Sequence, residues 1–297
     1  MNKTFILGVG AQKAGTSWLF EQISNSKYFQ KGFCKEMRIL SHLNNKEIKE
    51  LRIKNLLKKD KKKYKNKMLA SFLKNPIKYY DYFQELASKD SVTHVGEITP
   101  LYCSLKYEEL KNISDNLDKR NFQKKIIFIV RDPFKRLLSQ FGMNMKRKDL
   151  SNLKISKYDL NQEIIKNPYM LADKYSEQEI IEEMRKLYKS DKAQIKTKYD
   201  LIIPRLLKVF NEKDLFIDFF EDMFNDDFSK RFKEFIDLDD LKMEFNKPMN
   251  VTPKFRPLPD DFRSEIINFY SKTYRYMKSL FSDKTSSLWS DSLTYLK

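Results

Sequence analysis

The chain has 297 residues, 41% of them hydrophobic, and a formal net charge of +17. That length and apolar content suit one large folded domain and exclude intrinsic disorder, while no apolar run approaches the ~18 residues that a membrane span needs. Cys34 and Cys103 stand far apart with no paired cysteine or histidine cluster, which argues against a disulfide framework or a zinc site and suits a reducing cytoplasm.

In chain order, residues 5–9 read as a buried strand. Together with the preceding Lys3 they outline a secretion signal, but Gln12 and Lys13 cut the apolar stretch short and no cleavage site follows. A cytoplasmic location is therefore expected. Next comes GAQKAGTS, Gly10 to Ser17, opening a helix over residues 16–26. Its two glycines match a triphosphate-binding loop, G-x-x-x-x-G-K-[ST], but the lysine does not: Thr16 follows the second glycine, and Lys13 stands inside the loop. A glycine-bounded turn entering a helix aims backbone N–H groups and the positive helix end at an anion, and Thr16 and Ser17 add hydroxyls. A phosphate site over Gln12, Lys13, Ala14, Gly15, Thr16, Ser17 and Trp18 is the expectation.

Residues 27–43 read as irregular. Between residues 44 and 67 eleven Lys or Arg face three acids, a net of +8, in a weakly helical insert that reads as a solvated face or as a basic rim for an acidic acceptor. A helix is predicted over residues 75–87 and a strand over 92–96. The clearest buried strand is 126–130, IIFIV, ending at Arg131-Asp132-Pro133. Asp132 can cap the following helix and Pro133 suits its first position, with the helix running to about residue 148. Arg131 leaves the strand as a fork of fixed donors able to clasp a phosphate, and Ser139 lies two helical turns on, with Arg136 three residues before it on the same face. Residues 149–196 read as a helical insertion. A helix through Leu201, Leu206, Leu207 and Phe210 leads to a last strand over 215–219, followed by helices near 227–235, 259–270 and 274–281.

Strands alternating with helices predict an α/β fold with a central parallel sheet flanked by helices, in a P-loop-like three-layer arrangement. It should form one domain over 1–297, with insertions at about 44–70 and 149–196. Ligands of such sheets gather at the carboxyl ends of the strands, where the loops at Gly10, Glu97 and Arg131 can meet.

Taken together, QKAGTSWL and IVRDPFKRLLSQF resemble the 5′-phosphosulfate loop and the 3′-phosphate motif of sulfotransferases that use 3′-phosphoadenosine 5′-phosphosulfate (PAPS). GEITPLY resembles the segment of carbohydrate-type members that carries a catalytic glutamate. LFIDFFEDM resembles the last core strand, and KFRPLPDDFRSEIINFY the C-terminal region of bacterial members. The resemblance implies PAPS as co-substrate, 3′,5′-ADP (PAP) as product and no metal. It places Lys13 at the bridging oxygen, where charge grows as the S–O bond breaks. Arg131 and Ser139 fall on the 3′-phosphate, with Lys254 and Arg256 closing over it. It implies Glu97 as general base, with His94 the alternative because histidine serves in another branch of the superfamily. Lys35-Glu36 is similar to a Lys-Glu pair of carbohydrate sulfotransferases, with Ile39 and Leu40 where those proteins carry aromatics. The expected partner is a hydroxyl- or amine-bearing acceptor, such as a carbohydrate or small metabolite, rather than nucleic acid.

Two other classes fit parts of the pattern. A P-loop kinase or NTPase would use Asp132 to orient magnesium, and a nucleic-acid-binding protein would use the +17 charge, although no recognition motif of that kind is present.

Overall fold

The computed structural model describes residues 3–43, 45–58, 64–152, 157–170, 172–246 and 252–297. Five strands form one sheet in the order β2-β3-β1-β4-β5, every neighbouring pair parallel: β1 (Thr4–Gly10), β2 (Phe29–Lys31), β3 (His94–Ile98), β4 (Gln123–Val130) and β5 (Leu215–Phe219). A parallel sheet covered on both faces needs strands that are apolar throughout, and β1 is buried along its whole length, as is β4 from Ile126 to Val130. Thr4 of β1 lies opposite His94 of β3 and Gln123 of β4, so the three central strands begin level. Their carboxyl ends therefore open on the same side of the sheet. At Gly96 β1 and β3 approach so closely that a Cβ would stand 2.0 Å from the Ile6 carbonyl oxygen, and its φ of +157° also disfavours a side chain.

The helices flank this sheet. α1 (Thr16–Ser24) packs on β2 and β3, α4 (Ile77–Ala87) on β3, and α5 (Tyr107–Asp118) on β4. The basic insert folds as α2 (Lys46–Lys58) and α3 (Tyr64–Lys74), packed on each other; α2 buries no residue fully, whereas α3 buries Leu69, Ala70, Phe72 and Leu73. α6 (Pro133–Asn152) starts directly after β4 and runs four residues beyond its expected end. The second insertion contains α7 (Lys157–Lys166), α8 (Glu177–Lys189) and α9 (Asp191–Gln194), before α10 (Tyr199–Val209) leads into β5. Five more helices follow, α11 (Asp226–Ile236), α12 (Asp260–Phe269), α13 (Ser271–Leu280), α14 (Ser282–Leu288) and α15 (Ser290–Leu293). No helix among the described residues is long and apolar enough to cross a membrane.

Among the elements that differ from the sequence expectation are β2, α5 and β3. β2, expected as irregular chain, is three residues long, and its strand conformation comes from pairing with β3 rather than from any period of its own. α5 has apolar Leu110, Ile113 and Leu117 at helical spacing but was not anticipated. β3 starts two residues later than expected, so Glu97 lies within the strand instead of beyond it.

Candidate active site

The glycine-bounded loop joins β1 to α1 at the carboxyl end of the sheet. Two bonds shape it: the Ala11 N–H donates to the Ile129 carbonyl at 2.7 Å, and the Ala14 N–H donates to the Ala11 carbonyl at 3.3 Å. Gly15 caps α1 with φ 70°, and Lys13 is left-handed as well, with φ 72°. That backbone faces the first-turn N–H groups of α1 toward the loop's hollow, where no intrahelical carbonyl can satisfy them. The hydroxyls of Thr16 and Ser17 both accept from the Lys35 ammonium, at 3.3 and 2.9 Å.

Arg131, at the end of β4, reaches the same loop. Its Nη1 donates to the Lys13 carbonyl at 2.8 Å and its guanidinium lies over the Phe220 ring. Burial holds the Arg131 pKa below that of a free guanidinium. The Lys13 ammonium is pushed down to about 8, first by burial and then by Arg131, Arg147, Lys146 and Arg136. Arg136 is fully buried; its Nη1 donates to Gln140 Oε1 at 2.9 Å, while its Nε and Nη2 have no partner among the described residues. Beyond burial itself, the groups acting on its charge are the Tyr199 and Tyr270 hydroxyls and the Cys103 thiol. A buried guanidinium with idle donors beside a crowded lysine raises a strongly positive potential, the electrostatic complement of a polyanion. On the other rim Lys196, at the end of the second insertion, donates to Gln12 Oε1 at 3.0 Å, its pKa lowered by burial and then by Arg136. Lys196 escaped the sequence reading because it lies in a polar stretch whose only signal was the charge itself.

Other expected residues are placed differently. Ser139 sits on α6 with its hydroxyl 3.4 Å from Thr252 Oγ1, at the start of the segment carrying Lys254. The Lys254 side chain is exposed and its backbone N–H donates to the Pro168 carbonyl at 2.7 Å. Trp18 is buried on α1, donating its indole N–H to the Glu244 carbonyl at 3.1 Å and packing against Phe224 and Phe245, so its ring belongs to the apolar support behind the loop. Ala14 is fully buried beneath the loop.

Neither expected base is presented to the loop. His94 opens β3 opposite Thr4, roughly 13 Å along the strand from the carboxyl end at 3.3 Å per residue. Its ring is buried between Thr93 Oγ1 at 2.7 Å and the Ile236 carbonyl at 2.8 Å, and burial lowers its pKa. Parallel register thus sets His94 at the opposite end of the sheet from the loop. Glu97 is at the right end but fully enclosed. Its Oε1 accepts from the Tyr79 and Tyr102 hydroxyls at 2.7 and 2.8 Å, and its Oε2 from the Met37 N–H at 2.7 Å and the Thr99 hydroxyl at 2.8 Å. Four donors occupy the lone-pair positions of one carboxylate, so in this conformation none is left for an incoming acceptor. Burial raises the Glu97 pKa and those hydrogen bonds oppose the rise.

A half-buried carboxylate beside the loop is Glu36, 3.4 Å from the Lys35 ammonium that touches Ser17, and held on its outer side by Arg38. Asp132, by contrast, is fully buried as the cap of α6, accepting from the Lys135 N–H and the Tyr274 hydroxyl, both at 3.0 Å. Turned into the core, it is not presented to a metal at the loop.

No protein-family model matches the chain, and no curated protein sequence matches it. Among solved structures, a sulfotransferase from Alicyclobacillus acidocaldarius superposes with a TM-score of 0.57 at 16% identity, covering 97% of this chain and 99% of its own. At that identity the likeness establishes the shared fold. The sulfotransferase domain from the curacin biosynthetic pathway aligns with a TM-score of 0.42 at 14% identity, over 82% of this chain and 75% of its own, too loosely to carry an argument.

Proposed function

We propose that the chain is a PAPS-dependent sulfotransferase, moving a sulfuryl group onto a hydroxyl or amine of an acceptor, a carbohydrate or a small metabolite, and releasing 3′,5′-ADP. One observation carries the reading: the Arg131 guanidinium bonds the Lys13 carbonyl at 2.8 Å, which brings the two motifs, 118 residues apart, into contact. The likeness in fold to a solved sulfotransferase supports it.

The donor set fits such a polyanion. Loop N–H groups, the Thr16 and Ser17 hydroxyls and the Lys35 ammonium would hold the 5′-phosphosulfate, and Arg131 with Ser139 the 3′-phosphate. Bound there, PAPS supplies an activated sulfuryl group. Lys13, protonated, would neutralise charge gathering on the bridging oxygen, a contact whose loss costs ~2.7–4 kcal/mol for comparable donors. Glu36 is the carboxylate we assign to take the acceptor's proton, since it has access to the loop that Glu97 lacks. No metal is assigned a role, and a cytoplasmic location belongs to the same proposal.

The test is titration calorimetry with 3′,5′-ADP and 5′-AMP. The diphosphate should bind at least about tenfold more tightly, the worth of a charge-assisted phosphate contact. Equal affinities would remove the 3′-phosphate site and the proposal with it.

A further inference from the structure

Residues 35–39 carry Lys35 and Glu36 to the loop without helix or strand, yet their backbone is tied down at nearly every step. The Lys35 carbonyl accepts from the Ile98 N–H at 3.2 Å, and the Leu40 N–H lies 3.4 Å from the Tyr102 hydroxyl. Met37 is held from two sides. Its N–H donates to Glu97 Oε2 at 2.7 Å, and its carbonyl accepts from Arg52 Nη2 at 2.7 Å. Arg52 Nη1 also donates to the Arg38 carbonyl at 3.1 Å and contacts the His42 ring, so one guanidinium gathers two residues of the segment and His42 just beyond it. Arg52 belongs to α2, in the lysine-rich insert, and Glu97 to the core strand β3.

We infer that Glu97 and Arg52 are positioning residues that grip the Met37 peptide between them and so keep the Lys35 ammonium on the hydroxyls of Thr16 and Ser17. Glu97 acts as an anchor whose charge is spent on four fixed donors, and the insert braces the donor site through one arginine. Among the described residues no lysine of α2 bonds residues 35–39, so those lysines are dispensable for this brace. The link to ligand binding rests on the reading of the loop as the PAPS site; the brace itself does not.

Two measurements on the full chain decide it. In the free protein, Arg52→Gln should speed amide hydrogen exchange across residues 36–40 by about tenfold or more, as one charge-assisted bond is removed from each of two carbonyls. In titrations with 3′,5′-ADP, Lys35→Met and Arg52→Gln should each weaken binding by about five- to tenfold, and the double variant should be no weaker than Lys35→Met alone, since Arg52 acts through Lys35. Glu97→Gln should follow the same pattern where it folds, and Arg52→Gln, in the surface insert, keeps the test open where it does not. Unchanged exchange at residues 36–40, or additive losses in the double variant, overturns the inference. Failure of the wild-type chain to bind 3′,5′-ADP would sink the donor reading, and the exchange data would then decide the brace alone.

Discussion

The Arg131 guanidinium carbon lies 4.3 Å from the centroid of the Phe220 ring, and the same ring passes 3.0 Å from where a Cβ on Gly15 would stand. Phe220 follows β5 and so backs the loop after β1 and the arginine after β4 at once. Gly15→Ala would add a left-handed strain of about 1–2 kcal/mol and push the ring toward Arg131. We expect a melting temperature lower by a few degrees and 3′,5′-ADP affinity reduced about tenfold, read by calorimetry on the folded variant. A variant that binds as tightly as wild type would separate Phe220 from the site.

Proton linkage follows from Lys13. Its folded pKa of about 8 means that half the side chains are neutral at that pH, and a bound polyanion favours the ammonium. Binding of 3′,5′-ADP should therefore take up about half a proton through Lys13 at pH 8, where the ligand's phosphates, with a second pKa of about 6, are already ionised. Calorimetry in buffers of different ionisation enthalpy measures this, and Lys13→Met should abolish the uptake. kcat/KM should decline as pH rises through about 8, the sign expected of a group needed in its protonated form, whereas kcat should decline only at higher pH because the bound polyanion favours the ammonium.

Ser139 offers a cleaner probe of the 3′-phosphate than Arg131, because among the described residues its hydroxyl touches Thr252 Oγ1, whereas Arg131 also bonds the loop itself. Ser139→Ala should weaken 3′,5′-ADP by about 1.5–3 kcal/mol, the range for hydrogen bonds to charged groups, and leave 5′-AMP unchanged. A parallel loss for both nucleotides would place Ser139 elsewhere.

The two carboxylates should separate in turnover. With any acceptor that the wild type sulfates from radiolabelled PAPS, Glu36→Gln should lower kcat by about 10²–10⁴ while 3′,5′-ADP affinity stays within about twofold. Persistence of the wild-type pH profile in Glu36→Gln would return the base to another group.

Gly96→Ala tests the sheet itself. A Cβ at 2.0 Å from the Ile6 carbonyl oxygen cannot be relieved by rotating a side chain, because the obstacle is backbone of the central strand. Destabilisation beyond about 4 kcal/mol, or no folded protein, is expected in a denaturant titration.

Local chemistry made much of this molecule readable in advance. Continuous apolar runs revealed β1 and β4, glycines and hydroxyls marked the loop, and Asp132-Pro133 announced the start of α6, because burial, left-handed φ and capping each leave a signature within a few residues. Pairing alone made a strand of residues 29–31, which have no two-residue alternation to betray them.

The roles of single side chains needed the tertiary structure. GEITPLY marked Glu97 as special, and it is, but whether a carboxylate faces an acceptor or four internal donors depends on Met37, Tyr79, Thr99 and Tyr102, which the chain brings from three separate segments. Parallel register likewise decided which end of the sheet His94 occupies, setting it beside Thr4. Arg52 and Lys196 reach the loop or its support from segments whose only sequence signal was positive charge, and Lys35, marked only by a resemblance, needed the fold to bring it onto Thr16 and Ser17. Periodicity and turn chemistry are short-range and therefore written in the chain, whereas the desolvation and partners of an ionisable group are summed over everything packed around it, which only the completed fold decides.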